Sequence, residues 1–396
     1  MTKRPCWVEI RTQALEENYR LLASLVAPHA ELMAVVKAEA YGHSLALGAP
    51  AAVRAGAQWL AVTSVEEAVA TRALCPEPRI LAIGGAFPGQ GAAVIEHRLT
   101  PSVWDQSQFD ELESAARAAG LGPGSLNVHL EIDTGMSRQG AFPSELGPVL
   151  ARFTPSSPLR LEGIMTHLYA ADEGDERVTE AQIARIREAL DHVSAAGLCP
   201  DMLSAGSSAA VIAGLAERLS PLAAGYGMRL VMRPGLALYG VPPRFDPPFA
   251  GAEPATFAVA SKRLQPVLTW KTRVICVRTI PAGATAGYNG TFVAARTTQI
   301  ALVAAGYADG LDRHLGGGHF DLLVGGQRAR LVGRVCMDHA FLDVTEIPDV
   351  AAGDEVVILG TQGKETVSAQ DHADATGTIP WEVFTRIGPR VDRIAV

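Results

Sequence analysis

The sequence predicts a (β/α)8 TIM-like barrel followed by a mostly-β C-terminal domain. Three observations predict it. Eight short apolar runs alternate with helix-forming segments between residues 32 and 232. The alternation stops near residue 240, at a stretch rich in proline and glycine. Runs of strand character then dominate to the end. A chain of 396 residues suits two domains, or one large barrel with an appendage.

The elements follow in order. Cys6–Ile10 reads as a strand, and Gln13–Val26 as a helix with Leu15, Tyr19, Leu22 and Val26 on one face. Leu32–Val36 is a continuous apolar run, the pattern of a strand buried on both faces, and a helix near Leu45–Ala55 follows it. Trp59–Val62 precedes a helix opened by Ser64-Val65-Glu66-Glu67, a capping box with Glu67 at N3. Ile80–Ile83 leads to Gln90–Glu96, and Thr100–Val103 to Asp105–Ala119. Leu126–Ile132 leads to Ser144–Phe153, and Leu161–Thr166 to Asp175–Ala196. Met202–Leu203 leads to Ser208–Arg218, and Leu230–Met232 to Arg233-Pro234-Gly235-Leu236. Eight such pairs within ~200–250 residues match the usual span of a barrel. A doubly wound open sheet shows the same alternation, but the count of eight favours the barrel.

Val241–Pro254 has no period and reads as a linker or ordered loop. Beyond it Leu268–Ile280, Gln299–Ala304, Phe320–Val324, Gln327–Val332, Ala340–Val344 and Glu355–Leu359 read as strands. Short helices near Ser368–Ala375 and Trp381–Ile387 close the chain. The expected domains are 1–250, the barrel, and 251–396, the β-rich domain, with strand 6–10 joining the latter.

Composition excludes several classes. A formal charge of −8 without a Lys/Arg cluster argues against nucleic acid or an anionic membrane as partner. The five cysteines are scattered and hold no C-x-x-C pair, so neither a disulfide framework nor a structural zinc is expected, and a cytoplasmic setting fits. Met1–Arg11 lacks an apolar core, which predicts no secretory leader. No apolar run approaches a membrane span.

A barrel does its chemistry at the C-terminal ends of its strands. Lys37 and Tyr41 follow the first strand there, and Asp133-Thr134-Gly135-Met136-Ser137-Arg138 the fifth. Thr166-His167 and Asp172 follow the sixth, Ser204-Ala205-Gly206-Ser207-Ser208 the seventh, and Arg233 and Gly235 the eighth. The set has one amine, two guanidiniums, an imidazole and hydroxyls, and it lacks the clustered acid and histidine ligands of a catalytic metal. A lysine at a buried strand end can act as a Schiff-base amine, or it can simply reach solvent. The Ser/Gly turn at 204–208 can cradle a phosphate, or merely cap a helix. Together an imine-forming amine, a phosphate cradle and arginines describe pyridoxal 5′-phosphate.

Val-Val-Lys-Ala-Glu-Ala-Tyr-Gly-His (35–43) resembles the cofactor attachment motif of bacterial alanine racemases, pyridoxal-phosphate enzymes of fold type III. Asp-Thr-Gly-Met-Ser-Arg (133–138), Met-Thr-His (165–167) with Ala-Asp-Glu (171–173), and Arg-Pro-Gly-Leu-Ala-Leu-Tyr-Gly (233–240) resemble the same family. So do Ala-Gly-Tyr-Asn-Gly-Thr-Phe (286–292), Gly-Tyr-Ala-Asp-Gly (306–310), Val-Gly-Arg-Val-Cys-Met-Asp (332–338) and Trp-Glu-Val-Phe-Thr-Arg (381–386), all in family order. The resemblance implies interconversion of L- and D-alanine in a homodimer with shared sites, supplying D-alanine for peptidoglycan. It implies Lys37 and Tyr288 as bases on opposite faces of the cofactor, with Lys37 carrying it. Arg233 would meet the pyridine nitrogen. Tyr41, Ser208, Gly235 and Leu236 would hold the phosphate, and His167 would neighbour the cofactor and Tyr288. Arg138 and the Met337 of a second subunit would hold the substrate carboxylate. Tyr307, Asp172, Arg313 and Arg334 resemble entrance gates.

Three positions depart from the family pattern. Glu131 stands where the family often has a carbamylated lysine, and it is expected to pair with Arg138 directly. Ser204 stands where a histidine supports the pyridine-contacting arginine, so water is the expected link to Arg233. Trp381 replaces a gate tyrosine that also reaches the phosphate. A bulkier gate predicts a substrate no larger than alanine or serine. Rival readings are a serine or broader amino-acid racemase on the same scaffold, a barrel decarboxylase of basic amino acids, and a non-catalytic carrier of the cofactor. The motifs around Tyr288 and Arg233 count against the last two.

Overall fold

The computed structural model describes residues 4–249 and 251–396. The first three residues of the Met1–Arg11 segment, and Ala250 within the 241–254 stretch, lie outside them. The chain divides into two units. One gathers Gln13–Ala40 and Gly48–Gln265, and the other gathers the chain up to Thr12, Tyr41–Leu47 and Pro266–Val396.

The first unit is a closed barrel. Numbering strands from β1 (Cys6–Ile10), its staves are β2 (Glu31–Val35), β3 (Trp59–Val62), β4 (Arg79–Ala82), β5 (Thr100–Val103), β6 (Leu126–Glu131), β7 (Leu159–Met165), β8 (Met202–Ser204) and β9 (Arg229–Met232). Neighbours run parallel, and β9 closes on β2 with Leu32 opposite Met232. The staves are covered on both faces: every residue of β3 and β5 is buried, and β3 reads as an unbroken apolar run for that reason. At the N-terminal end of the staves, buried Glu162 accepts two hydrogen bonds from Arg79, whose guanidinium lies 4.2 Å over the Trp59 ring. That plug leaves the C-terminal end for chemistry.

The helices follow the spacing read from the sequence, with informative exceptions. Thr12–Val26, Val65–Leu74 and Gln106–Ala118 form as expected, the latter two behind full capping boxes at Ser64 and Asp105. The segment expected as one helix over 208–218 is two, Ser208–Ile212 and Ala216–Gly225. Gly214 adopts φ +74 between them, and the main chain closes over it through Leu215 N to Ala210 O at 3.0 Å. The expected helix at 144–153 is reduced to Pro143–Glu145 and Leu146–Leu150. A helix unread from the sequence, Ala255–Arg263, belongs to the barrel unit, where Thr256 Oγ1 donates to Ile212 O.

The second unit is built on one nine-stranded sheet and a separate two-stranded ribbon. After β10 (Leu268–Ile280) come β11 (Thr285–Ala286), β12 (Phe292–Val293), β13 (Thr298–Val303), β14 (Asp321–Val324), β15 (Gln327–Val332), β16 (Ala340–Asp343), β17 (Glu355–Gln362), β18 (Glu365–Val367) and β19 (Asp392–Ala395). The order is β18-β17-β14-β15-β16-β13-β10-β1-β19, and β17 also pairs with β10, so β10, β13, β16, β15, β14 and β17 close a ring. Strand β1 is antiparallel to β10 and parallel to β19. Strands β11 and β12 form the ribbon. No described helix is long and apolar enough to cross a membrane.

Candidate active site

Lys37 follows β2 at the C-terminal mouth of the barrel. The residues after it form a left-handed turn: φ is 51° at Ala38, 56° at Glu39, 53° at Ala40 and 55° at Tyr41. Each L-residue in that conformation costs on the order of 1–2 kcal/mol, so the turn needs anchors. Ala38 N donates to Glu67 Oε1 at 2.7 Å, and Ala40 N donates to Val36 O at 3.0 Å. Ala40 packs on Gly48, where an added Cβ would come within 2.8 Å of the Ala40 methyl. Glu67 was legible in the sequence as a capping residue. Its grip on the turn beside Lys37 was not.

Four of the expected residues share one electrostatic neighbourhood. Burial lowers the pKa of the Lys37 amine, and Arg138 and Arg233 push the same way, while Glu67 opposes them. Burial, then Arg233, Arg138 and Lys37, drive His167 down to about 3, so its imidazole is neutral. Arg233 is buried and falls to about 10, chiefly by desolvation, which leaves it charged at neutral pH. Its Nη1 donates to Ser204 Oγ at 2.7 Å and its Nη2 to Thr166 O at 2.6 Å. The water expected between Ser204 and Arg233 is therefore replaced by a direct bond, which leaves other guanidinium N–H groups for a ligand.

The phosphate-cradle segment also closes on itself. Ser208 Oγ accepts from Gly235 N at 2.9 Å and Ala237 N at 3.1 Å, tying the loop after β8 to the loop after β9. Gly235 precedes the short 3-10 turn Leu236–Tyr239. Tyr239 Oη in turn donates to Val35 O at 3.0 Å, next to the Lys37 strand end. An amine with depressed basicity, a pre-held guanidinium and a hydroxyl among backbone N–H groups fit pyridoxal phosphate: an aldehyde carbon, a ring nitrogen and a phosphate each find a partner chemistry.

The loop after β6 is rigidly sewn. Thr134 Oγ1 lies 2.9 Å from Thr166 Oγ1, Gln182 Nε2 donates to Thr134 Oγ1 and to His167 O, and Arg185 Nη1 donates to Thr134 O. None of these partners carried a sequence signal beyond its place on a helix or strand. Here one expectation is corrected. The Glu131 carboxylate does not pair with Arg138; it accepts from Gln139 Nε2 at 2.5 Å. Ser137 (φ 56°) and Gly140 (φ +104°) fold the loop so that Gln139 turns back to the strand end. Among the described residues, the Arg138 side chain makes no hydrogen bond or ion pair. Burial pushes Glu131 up to about 7, against the Gln139 hydrogen bond and the charges of Arg233 and Arg138.

Tyr41 ends the left-handed turn, is buried, and is raised to about 12 by that burial. The remaining expected residues belong to the second unit. Tyr288 is 67% exposed in the 3-10 turn Tyr288–Gly290, Met337 is 54% exposed and Tyr307 43%. Tyr307 N donates to Cys336 O and Ala308 N to Met337 O, both at 3.0 Å, so Tyr307 and Met337 are neighbours. Cys336 and Tyr288 line one hollow of about 610 Å³, walled by Ile300, Leu302 and Phe341. Trp381 lies in the helix Pro380–Arg386, half-buried. Arg313 opens the turn Arg313–Leu315, and Arg334 follows β15. In the barrel unit, Asp172 accepts at its main-chain O from Asp246 N at 3.0 Å.

Comparison with known proteins gives a uniform result. Residues 10–243 match the family model "Alanine racemase, N-terminal domain" and residues 267–395 match "Alanine racemase, C-terminal domain". The chain is 37% identical over 399 residues to an alanine racemase of Sorangium cellulosum, covering 98% of each. It is 35% identical over 390 residues to one of Halothermothrix orenii, covering 98% of this chain and 96% of the relative. The solved alanine racemase of D-cycloserine-producing Streptomyces lavendulae superposes with a TM-score of 0.85 at 33% identity, over 100% of this chain and 98% of that one. The alanine racemase of Bartonella henselae, solved with covalently bound pyridoxal phosphate, superposes with a TM-score of 0.81 at 27% identity, over 99% of each.

Proposed function

The chain belongs to the alanine racemase family, and from that membership we propose that it interconverts L-alanine and D-alanine by a two-base mechanism. It is a pyridoxal-phosphate-dependent isomerase, as the family is. When bound, the cofactor withdraws electron density from the substrate Cα and makes its proton removable. The chain's own residues do the rest. Lys37 holds the cofactor and exchanges a proton at Nζ on one face. Tyr288 of a second subunit exchanges one at Oη on the other. Two bases on opposite faces invert the centre without turning the substrate over.

The observation that carries this reading is the shared field of Lys37, Arg138, Arg233 and His167. A depressed lysine pKa leaves more of the amine as free base near neutrality, which a proton-abstracting group needs. Arg233 meets the ring nitrogen without surrendering a proton, which moderates electron withdrawal. Ser208, Gly235 and Leu236 hold the phosphate, and Tyr41 and Trp381 are the further residues assigned to it. Arg138, Met337 and Tyr307 receive the substrate, Arg138 taking its carboxylate. The exposed Tyr288 and Met337 suit delivery to a second subunit, so the active species is a homodimer. A cytoplasmic site of action, feeding peptidoglycan synthesis, accords with the scattered cysteines.

The test is direct. Purified protein given L-alanine should form D-alanine. Lys37→Ala should lose both directions, and Tyr288→Phe should lose about 10²–10⁴ in rate, unequally between directions. Mixing the two variants should restore activity through heterodimers in which one site keeps both bases. Full activity in Tyr288→Phe would refute the two-base assignment. Turnover of lysine as fast as alanine would overturn the small-substrate reading of Trp381.

A further inference from the structure

We propose that Asp309, gripped by Arg4 and Arg390, is a positioning residue for the substrate: it holds together the two loops that carry Tyr307 and Met337, and so sets how well the site they serve binds alanine. The proposal rests on the reading that Tyr307 and Met337 complete the site of a second subunit.

Strand register brings the parts together. Val303 faces Ala340 across the β13–β16 ladder, so the chain leaving β13 and the chain entering β16 run side by side. The first carries Tyr307 and Asp309, the second Met337 and Asp338. Their main chains are joined: Tyr307 N donates to Cys336 O and Ala308 N to Met337 O, both at 3.0 Å. Gly306 permits that approach, since a Cβ there would come within 2.3 Å of Met337 O. Farther along the sheet, β1 and β19 are parallel neighbours with Trp7 opposite Asp392. Arg4 and Arg390 therefore precede the same end of adjacent strands, and both reach the paired loops.

Asp309 is 1% exposed. Its Oδ2 accepts from Gly306 N at 2.9 Å, which closes its own loop. Its Oδ1 accepts from Arg390 Nε at 2.7 Å and from Arg4 Nη1 at 3.1 Å. The same two guanidiniums reach across to the second loop: Arg390 Nη2 donates to Asp338 Oδ1 at 2.8 Å, and Arg4 Nη2 to Asp338 O at 2.7 Å. Each arginine thus spans both loops, next to Tyr307 on one side and next to Met337 on the other. A buried carboxylate needs such partners, and a planar fork of N–H groups fixes direction as well as distance. A methionine's one strong hydrogen-bond donor is its main-chain N–H, so what Met337 offers a carboxylate is set by its backbone. Cys336 O shares a peptide plane with Met337 N, so the bond from Tyr307 N fixes where that N–H points. Among the described residues, nothing accepts from Met337 N. A donor with a fixed direction and no partner of its own is arranged for an outside acceptor.

The experiment uses the holoenzyme and heterodimers isolated through two different affinity tags. Asp309→Asn homodimers should raise KM for L-alanine about fivefold to thirtyfold, with kcat within about twofold of wild type and the absorbance of bound cofactor unchanged. Arg390→Met should act in the same direction more weakly, because Arg4 still joins the loops. Arg390→Lys should recover part of the loss, because an ammonium lacks the fork. Pairing with Lys37→Ala then reads where Asp309 acts. A heterodimer of Lys37→Ala and Asp309→Asn subunits keeps one Lys37, and the β unit serving that lysine's site has an intact Asp309; its KM should be that of wild type. A wild-type subunit paired with the double variant Lys37→Ala/Asp309→Asn also keeps one live site, now served by the altered β unit; its KM should be raised as in the homodimer. If Asp309→Asn does not fold, Arg390→Met goes through the same pairings. Unchanged KM in the homodimers, or the reverse result in the two heterodimers, would overturn the proposal. Tyr288→Phe in place of Asp309→Asn separates the two ways of failing. Tyr288 acting within its own subunit's site would sink the shared-site reading, whereas Tyr288 acting across subunits while Asp309 does not would sink the clamp alone.

Discussion

The two units carry their chemistry-bearing side chains in opposite physical states. At the barrel mouth, Lys37, Arg233, Glu131 and His167 are drawn out of water, and their proton affinities are displaced by burial and by one another. Their neighbours are fixed by bonds such as Ser204–Arg233 and Glu67–Ala38. In the β unit, Tyr288, Met337 and Tyr307 stand on loops and are 43% to 67% exposed. The barrel half is assembled within one chain at the expense of desolvation and a left-handed turn. The β half is presented rather than assembled. The difference teaches that burial is divided between the units: the groups with displaced proton affinities are covered by their own fold, and the expected site residues of the β unit keep much of their surface in water.

The largest effect on structure should come from breaking the barrel half at Glu67. Its carboxylate accepts from Ala38 N, Thr63 N and Ser64 N, and its charge favours protonated Lys37. Glu67→Ala removes three charge-assisted bonds and the anchor of the strained turn. We expect a loss of about 2–4 kcal/mol in unfolding free energy, with a faster cofactor off-rate followed by absorbance. Glu67→Gln, which keeps an acceptor, should recover part of both. If Glu67→Ala left cofactor release unchanged, the turn would not depend on this anchor.

Next in size is an acid effect inside the β unit, which shows that burial operates there too, away from the exposed loops. His372 is buried, lies 2.8 Å from Ile358 O through Nε2, and packs edge-on against Phe320. Burial lowers it to about 4, so the folded unit holds it neutral while the unfolded chain protonates it below the ordinary 6.5. The folded pKa is the lower one. Its contribution is therefore intact above about 6.5 and lost as pH falls toward 4, on the order of 3 kcal/mol in full. Urea unfolding between pH 7 and 4 should show a steeper decline in wild type than in His372→Gln. Equal slopes would mean that His372 does not contribute to the acid sensitivity.

The same division governs how much was legible in the sequence. The barrel staves were readable because strands covered on both faces are mostly apolar, with a few buried polar residues such as His129 and Glu162 inside them, and the polar residues after each run then mark the mouth. The capping box at Ser64 was readable because it uses fixed residue types at fixed spacing; the one at Asp105, with Gln108 at N3, uses the same spacing but was not read. The left-handed turn was not, since Ala38, Glu39 and Ala40 have no propensity for it; tertiary contacts to Glu67 and Gly48 impose it. The partner of Glu131 was misread for a related reason. Ser137 and Gly140 reverse the loop and exchange which of two consecutive side chains, Arg138 or Gln139, meets the strand end. Strands β18 and β19 were missed because three or four residues are too few to show a period.

The smallest effect should be on stability from the β unit's exposed residues, and it sharpens the comparison most. Tyr288 and Met337 keep most of their surface in water. Truncating them uncovers little new apolar area and strands no buried partner. Tyr288→Phe and Met337→Ala should each change unfolding free energy by less than about 0.5 kcal/mol, measured on the monomer at high dilution in denaturant. Tyr288 lines the hollow that Cys336, the residue before Met337, also lines. A fold gains little from an aromatic ring and a thioether left uncovered, so these two residues are where a role in self-association can be tested apart from stability. If Met337→Ala destabilised the isolated chain by several kcal/mol, that argument would fail, because the residue would then be serving its own fold. If it weakened only self-association and substrate binding, the exposed face would be the part of the site made for a second copy.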